Sequence, residues 1–504
     1  MKKVLSIVLA LAFSASAEIT AVADIVGYEP FMRQVSAFTE TARVPKLFRT
    51  INRASLDRLG LPALNGVDLA RPVRCVVFKD GLQIETVGIV PVNGTDGIVA
   101  VQQMLADAYA ERTEKGRWKV FSKPKNDLVR PETYVYFEKD TAVLAADFED
   151  GEAVLTKGLQ RVDVGDLPPN KLRVKLMPAV VAGYLDDDSG KNPVKPEDIA
   201  SAEMELEVVP VAVNVLARIK PAEGSTFAER LAKRQVPTTM WRKIPRTSEF
   251  AAVTDGFGKP GFGESAVYVA VDPVDQRLCF VALRKIVDTQ GVEADLAALA
   301  GGTSKSVINP VQLFGFAVKT AKHVTIEERR MWQFELEKQD DLIGRLPSFG
   351  LPFKPVQLMP KTDRMYAGIV QGMLVSATGG EKFFREVVSG LAVNEADFRA
   401  RLDSSVETDR MVAAGVVSLT ALVRQWVLAQ PGGERLLEKL PLAGEGAVWS
   451  AGMQGPEQIF RLRLSGTEVG AIQNTIDKGM PVFQEIVMQL MVQQMMKKTN
   501  TESR

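Results

Sequence analysis

Histidine is almost absent from this chain of 504 residues. His323 is the single histidine, so both Ser-His-Asp and Cys-His catalysis would have to use this one residue. It follows the polar run Lys319–Lys322, which we interpret as a solvated hairpin turn. Zinc sites built from several histidine and cysteine side chains are excluded by this composition.

The chain also has little cysteine. Cys75 and Cys279 are the two cysteines, and both fall in strand-like runs. An exported protein can form disulfides, but two cysteines over this length do not make a disulfide framework. We favour two separate buried thiols, and a Cys75–Cys279 bridge is the alternative.

An excess of charge and a long internal apolar run are both lacking. The 62 basic and 62 acidic residues balance, which argues against a nucleic-acid-binding protein because such proteins need a concentrated basic surface. No stretch beyond the N-terminus approaches about 18 uninterrupted apolar residues. We therefore predict no transmembrane anchor.

The N-terminal residues have the three parts of an export signal. Lys2 and Lys3 precede the apolar run Val4–Phe13, and Ala15-Ser16-Ala17 offers the small residues that a signal peptidase recognises. We therefore predict that residues 1–17 are a cleavable signal peptide. The mature chain is then exported, and it is either periplasmic or secreted.

Two motifs associated with catalysis occur in unsuitable surroundings. Gly256–Gly261 fits the GxGxxG spacing, but the strand pattern Ala266–Val271 follows it, so no helix is available to receive a pyrophosphate. Ser122–Lys125 fits the S-x-x-K spacing of serine acyl-enzymes, but Pro124 separates the serine from the lysine. We predict a flexible loop at the glycines, and no catalytic or cofactor-binding residues.

A polar loop at Asp186–Pro196 contains the weak metal candidates of this chain. Asp186, Asp188 and Glu197 could offer carboxylate oxygens to a hard cation such as calcium. An EF-hand loop, however, needs glycine at its sixth position, where this chain has Lys191. A solvated acidic loop is the favoured interpretation.

Strand and helix patterns alternate along the chain and predict an α+β fold. Tyr134–Phe137 and Thr141–Ala146 indicate one hairpin, and Met365–Val370 and Met373–Ala377 indicate another. An ungapped comparison pairs Tyr134 with Tyr366, Val143 with Val375, Ala145 with Ala377, Glu149 with Glu381, and Gly158 with Gly390. We predict two diverged copies of an antiparallel-sheet-plus-helix unit; chance recurrence of such units is the alternative.

The predicted domains follow from this duplication. The first repeat domain covers residues 18–240, a linker lies at Arg242–Arg246, and the second repeat domain covers residues 247–480. Residues 481–504 form a C-terminal amphipathic helix and tail. Its apolar stripe supplies the partner-binding candidates, which are Phe483, Ile486, Val487, Leu490 and Met491. The helix either docks on its own sheet or is offered to a protein partner or a second subunit.

Short motifs resemble those of a known group of proteins. They are Gly66–Val73, Gly88–Val92 and Leu176-Met177-Pro178, and the C-terminal Met- and Gln-rich helix is similar too. Together they resemble large uncharacterised exported proteins of planctomycete-type bacteria. The resemblance implies secretion and a duplicated α+β architecture. It implies no activity and no site residues.

Three functions are compatible with these observations. The first is a non-catalytic envelope or secreted protein that acts as a scaffold or binding module, because the usual catalytic groups are missing. The second is a carrier of an apolar or lipid-like ligand between a curved sheet and its helices. The third is a carboxylate-dependent hydrolase, for which the sequence singles out no pair of acids.

Overall fold

The computed structural model describes residues 18–474 except for 60, 81–82, 110, 117, 123–131, 147–166, 186–192, 246–247, 257–260, 273, 275–276, 302–315, 339–363, 392–397, 403–408, 429–433, 435–436 and 439–443. The chain forms two compact units. Unit 1 consists of Met1–Lys233 and Met453–Arg461, and unit 2 consists of Arg234–Gly452 and Leu462–Arg504. Each unit combines a large antiparallel sheet with helices, which confirms the predicted α+β class.

Unit 1 contains the first ten strands, along which apolar and polar side chains alternate between the two sides of the sheet. The strands are β1 (Glu18–Ile25), β2 (Val73–Asp80), β3 (Gln83–Pro91), β4 (Glu111–Lys115), β5 (Trp118–Ser122), β6 (Glu132–Glu138), β7 (Thr141–Ala146), β8 (Lys171–Leu176), β9 (Ile199–Val209) and β10 (Ala212–Pro221). The helices are α1 (Tyr28–Thr41), α2 (Pro45–Leu59), α3 (Gly94–Ala108), α4 (Pro178–Leu185) and α5 (Thr226–Ala232). Ser225 caps α5, because its hydroxyl accepts from the Ala228 N–H at 3.1 Å.

The strand pairs of unit 1 are antiparallel, and their order is β4-β5-β6-β7-β3-β2-β1-β8-β9-β10. On one side of the sheet, α4 and α5 cover β1 and β8, and Phe227 and Leu231 of α5 are buried there. On the opposite side, an apolar cluster joins β5, β6 and β7. Its aromatic rings pack edge to face, with 4.6 Å between the ring centroids of Trp118 and Tyr136.

The second half of the chain supplies ten further strands. They are β11 (Phe250–Thr254), β12 (Phe262–Asp272), β13 (Arg277–Ile286), β14 (Phe316–Ile326), β15 (Arg329–Lys338), β16 (Arg364–Val370), β17 (Met373–Thr378), β18 (Arg410–Val417), β19 (Ala447–Gln454) and β20 (Glu457–Ser465). The helices are α6 (Thr289–Ala300), α7 (Glu381–Gly390), α8 (Leu419–Leu428) and α9 (residues 466–474). Short 3₁₀ turns lie at Pro196–Asp198, Met240–Arg242 and Phe398–Arg401.

The strands of unit 2 pair in the order β14-β15-β16-β17-β13-β12-β11-β18. If β11 to β18 are renumbered as strands 1 to 8 of unit 2, their order is 4-5-6-7-3-2-1-8. The first eight strands of unit 1 have the same order, β4-β5-β6-β7-β3-β2-β1-β8. The predicted hairpin around Gln371 and Gly372 is confirmed, since both residues have positive φ, 51° and 74°. Such a two-residue turn matches the twist of the flanking strands.

Helices cover both sides of the sheet in unit 2. On one side, α7 buries Phe383, Phe384 and Val387 against the sheet. On the other side, α6 buries Val292 and Leu296 against β15 to β17. These residues recur at three- and four-residue spacing, which puts them on one face of each helix.

Two sequence predictions about connections are wrong. Within the linker predicted at Arg242–Arg246, Ile244 is fully buried in unit 2, as is the preceding Trp241, whose Nε1–H donates to the Pro237 carbonyl at 2.7 Å. The division of the chain into units falls between Lys233 and Arg234, and the repeat domains 18–240 and 247–480 stay predictions.

The turn predicted at Lys319–His323 is the second error. These residues lie within β14, and the chain reverses at Glu327 and Glu328, which have φ values of 48° and 61°. His323 is exposed on the strand and pairs with Trp332, with 3.7 Å between their ring centroids. The polar run is thus a solvated strand, because β-branched residues such as Thr320 are interspersed in it.

Candidate functional site

Of the three metal candidates from the sequence, Glu197 alone lies in the described part of the chain. Glu197 is exposed in the turn Pro196–Asp198, and its carboxylate lies 3.9 Å from the Lys195 ammonium. Asp186 and Asp188 lie outside the described residues. Within the ranges that the structure describes, no three His, Cys, Asp or Glu side chains are close enough to share a metal ion.

The partner-binding candidates of the C-terminal helix also lie outside the described residues, which end at residue 474. They are Phe483, Ile486, Val487, Leu490 and Met491. Among the helices of the described segments, none is both long and apolar enough to cross a membrane.

The sequence predicts two separate buried thiols, and the structure agrees with this in part. Cys75 on β2 and Cys279 on β13 are separate thiols; Cys279 is buried, whereas Cys75 is only half-buried. Gly256 and Gly261 lie between β11 and β12 with φ of 70° and 80°. A strand starts at Phe262 immediately after them, so the glycines do not open a helix and lack the geometry of a dinucleotide site.

The buried carboxylates of the described residues accept hydrogen bonds from their own chain. They are Asp24, Asp198, Asp255, Asp272 and Glu468. Through these hydrogen bonds the five carboxylates join neighbouring segments of their own chain.

Glu468 illustrates this use of a buried acid. Its carboxylate accepts from the Thr420 N–H at 3.0 Å, the Thr420 hydroxyl at 2.7 Å and the Ser418 hydroxyl at 3.2 Å. It also accepts from the Gly446 N–H at 3.1 Å. Glu468 lies at the start of α9, and Ser465 caps that start by accepting from the Glu468 N–H at 3.2 Å. The first turn of α9 is thereby attached to the junction between β18 and α8.

A different arrangement occurs on unit 1, on the side of the sheet that α4 and α5 do not cover. Cross-strand pairing brings charged side chains of β1, β2, β8, β9 and β10 to one face. We call this surface the charged strip, and it consists of Asp24, Arg74, Lys171, Arg173, Lys175, Glu203, Glu205, Glu207, Asn214 and Arg218. Basic side chains outnumber carboxylates in it by one.

Most charges of the strip are satisfied within it. Arg74 donates twice to the Asp24 carboxylate, at 2.6 and 2.9 Å, and both groups are buried. Glu205 accepts from Arg218 at 3.0 Å and from Lys171 at 3.4 Å. Burial acts to raise the pKa of the Glu205 carboxyl, but the contacts with Arg218 and Lys171 outweigh it, so the pKa lies below its usual value.

Arg173 is the exception in the strip. It pairs across strands with Asp24 on one side and with Glu205 on the other, but Asp24 is engaged by Arg74 and Glu205 by Arg218. The Arg173 Nε is buried and has no hydrogen-bond partner among the described residues. The same is true of the Arg461 Nε on β20, which belongs to unit 1 and pairs with β10.

The unsatisfied Nε–H of Arg173 is energetically unfavourable as it stands. A buried donor without an acceptor costs about 1–3 kcal/mol, and planar oxyanions are the groups that a guanidinium binds through two parallel hydrogen bonds. The strip contains no histidine or cysteine that could act as a nucleophile or as a base near neutral pH.

The sequence predicts the charged side of each strand in this strip, but not which strands lie next to one another. Glu203, Glu205 and Glu207 alternate with apolar residues, and Lys171, Arg173 and Lys175 do the same, which predicts strands with one charged side. The pairing of β8 with β1 joins residues that are far apart along the chain, so spacing could not reveal it.

Comparisons with known proteins add no identification. No family model matches the chain, and no curated protein matches it. It is similar to two crystal structures of TP0453. Crystal form IV has a TM-score of 0.25 and 7% identity, and the match covers 40% of this chain and 77% of TP0453. Crystal form III has a TM-score of 0.25 and 7% identity, with 44% and 87% covered. Similarity at this level carries no argument about function.

Proposed function

We propose that the chain is an exported, non-catalytic binding module, and that the charged strip of unit 1 receives an acidic group of its partner. The observation that carries this proposal is the guanidinium of Arg173, whose buried Nε has no acceptor in the described residues. Natural proteins tolerate such a cost where function requires it. Removal of residues 1–17 during export would leave the mature chain in the periplasm or the medium.

The proposal includes the duplication predicted from the sequence, and strand register supports it. Tyr134 pairs with Ala145, and Tyr366 pairs with Ala377. The agreement continues across the next three strands. In unit 1, Ala145 pairs with Val87, Val87 with Val76, and Val76 with Val22. At the corresponding positions of unit 2, Ala377 pairs with Val281, Val281 with Tyr268, and Tyr268 with Ala251. Agreement in both strand order and register favours duplication over chance recurrence more strongly than either feature alone.

This register supports a functional role for the strip, because it identifies the corresponding row in unit 2. The row Arg74–Asp24–Arg173 of unit 1 corresponds to Ala266–Val253–Ala414 of unit 2. Those three apolar residues are buried in the core of unit 2. The fold therefore does not need charges at these positions, and their presence in unit 1 calls for a cause other than folding.

The two alternatives from the sequence have less support. On the β5 to β7 side of unit 1, apolar side chains such as Trp118 and Tyr136 pack against one another, which favours a scaffold over a carrier. A hydrolase would need an acid placed for proton transfer, and neither the sequence nor the geometry of the described residues singles one out. Detection of a copurifying lipid by native mass spectrometry would support the carrier function instead.

The test of the proposal is a binding measurement on the mature chain. We use a hexaglutamate peptide as the acidic probe and hexalysine as the opposite probe, with isothermal titration calorimetry at low and high salt. We expect salt-dependent binding of hexaglutamate alone. Arg173→Gln should weaken it roughly tenfold, which corresponds to about 1.4 kcal/mol.

Lys175→Gln is the matched control, because it removes the same charge from an exposed neighbour on β8. We expect it to weaken binding by less than about twofold. Stability separates the roles further: since the Arg173 Nε makes no hydrogen bond, Arg173→Gln should leave the urea midpoint unchanged or raise it. Equal weakening by both variants, or no binding of hexaglutamate, would contradict the proposal.

A further inference from the structure

We propose that the partner of the charged strip is an acidic peptide with two separated carboxylates, one of which binds at Arg173 and the other at Arg461. This inference rests on the proposed function and names the partner of the same surface. Among the described residues, these are the two arginines whose Nε is buried without a hydrogen-bond partner. Both belong to unit 1.

Arg461 lies on the side of the sheet that carries the charged strip. Residues 455 and 456 form a two-residue turn between β19 and β20, with φ of 57° at Gly455, so Met453 lies opposite Gln458. Met453 packs in the apolar cluster that α4 and α5 cover, and Gln458 therefore points to that side. Because successive side chains of a strand alternate between its two sides, Arg461, three residues further on, points to the opposite side.

Three strand spacings separate Arg173 from Arg461. Arg173 is on β8, and β9 and β10 lie between it and Arg461 on β20. Neighbouring strands are about 4.8 Å apart, so the Cα atoms of the two arginines are about 14 Å or more apart. A single carboxylate cannot contact both side chains, whereas a peptide with two separated carboxylates can.

The residues between the two arginines determine which acidic peptide fits. Arg173 faces Glu205 on β9, and Arg218 on β10 donates to the Glu205 carboxylate at 3.0 Å. Glu203 and Glu207 point to the same side of β9 as Glu205. A partner carboxylate placed over these glutamates would be repelled. A peptide whose acidic residues are separated by neutral residues is therefore favoured over a uniformly acidic one.

Binding at Arg461 follows the same chemistry as binding at Arg173. A buried N–H without an acceptor destabilises the free protein, because it lacks the hydrogen bonds that water would provide. A carboxylate accepts two parallel hydrogen bonds from a guanidinium group. When one peptide makes both contacts, the first contact raises the effective concentration of the second carboxylate, so the two contacts strengthen each other.

Two peptides of equal charge test this arrangement. One has five serines between two glutamates and the other has a single serine between them, so their glutamate Cα atoms are at most about 20 Å and about 7 Å apart. Both peptides are acetylated and amidated at their ends. We expect the mature chain to bind one long peptide per chain, at least about tenfold more tightly than the short peptide, in isothermal titration calorimetry. Arg461→Gln should abolish this preference for the long peptide.

Lys220→Gln is the matched control, since Lys220 is an exposed basic residue on β10, the neighbour of β20. This variant should keep the preference for the long peptide. Arg461→Lys keeps the charge but loses the two parallel donors, so it should keep only part of the preference. Because the Arg461 Nε makes no hydrogen bond, Arg461→Gln should not lower the urea midpoint. A lower midpoint together with an intact preference would assign Arg461 to the stability of the sheet instead.

The inference is overturned if the mature chain binds both peptides equally, or if the preference for the long peptide survives in Arg461→Gln. Hexaglutamate binding, measured on the same variants, separates this inference from the proposed function. Binding that weakens in Arg173→Gln but not in Arg461→Gln would leave the proposed function intact and remove the second contact. Absence of hexaglutamate binding to the unchanged chain would contradict both.

Discussion

At the scale of single residues, the ion pair between Asp24 and Arg74 shows how much a buried ion pair contributes to the free energy of unfolding. Both side chains are inside unit 1, with 3% and 10% of their areas exposed. Arg74→Met removes both hydrogen bonds that Asp24 accepts from Arg74 and leaves its cross-strand neighbour Arg173 as the remaining cation beside it, so we expect the free energy of unfolding to fall by about 1–3 kcal/mol. Urea denaturation of the mature chain, followed by fluorescence, measures the loss.

Arg71→Met is the control for this change. Arg71 also bridges to an aspartate, since its guanidinium lies 2.5 Å from the Asp140 carboxylate, but this pair is about half exposed. Surface pairs are weak because water solvates both partners and salt screens them, so little change is expected. The double variant Asp24→Val with Arg74→Met should recover most of the loss. Equal effects of Arg74→Met and Arg71→Met would contradict our account of the pair.

At the scale of elements, the packing of α2 on β3 depends on Gly88. A Cβ at this position would meet the backbone of Leu59, which cannot yield as the end of a flexible side chain can. Gly88→Ala must therefore displace the end of α2, and we expect a loss of about 1–3 kcal/mol in the free energy of unfolding. Hydrogen exchange should become faster in α2 before it changes elsewhere.

The reverse substitution in unit 2 provides the comparison for Gly88. Ala282 occupies the corresponding position on β13 and is buried. Ala282→Gly should cost about 1–2 kcal/mol, because it removes a buried methyl group and adds backbone freedom to the unfolded chain. An unchanged free energy of unfolding in Gly88→Ala would contradict the close packing of α2 on β3 that distinguishes Gly88 from Ala282.

Sequence patterns located elements well where turn residues mark their ends. The hairpin at Gln371 and Gly372 could be predicted because glycine adopts positive φ without strain. The reversal at Glu327 and Glu328 could not, since glutamate at positive φ carries no turn signal. The linker predicted around Pro245 failed for a related reason: proline marks an irregular backbone, and irregular backbone is also found inside a core, as beside Trp241.

At the scale of the whole molecule, the α+β class was predictable from periodicity, but the charged strip was not. Its charges become neighbours only when β1 pairs with β8, and such contacts depend on topology. The same holds for the limits of unit 1. Residues 453–461 come from the far end of the sequence, yet they belong to unit 1, and Met453 is buried in its core.

This composition of unit 1 leads to a prediction about fragments of the chain. A fragment of residues 18–233 lacks Met453 and its neighbours, so we expect it to unfold at lower urea concentration than unit 1 does in the mature chain. Trp118 is its single tryptophan and reports unfolding. A peptide of residues 447–466 should raise the urea midpoint, because binding to the folded form stabilises it. The same peptide with Met453→Ala should act more weakly, since a buried methionine contributes about 2–5 kcal/mol. A fragment that is as stable alone as in the chain, and indifferent to the peptide, would show instead that residues 18–233 are complete without it.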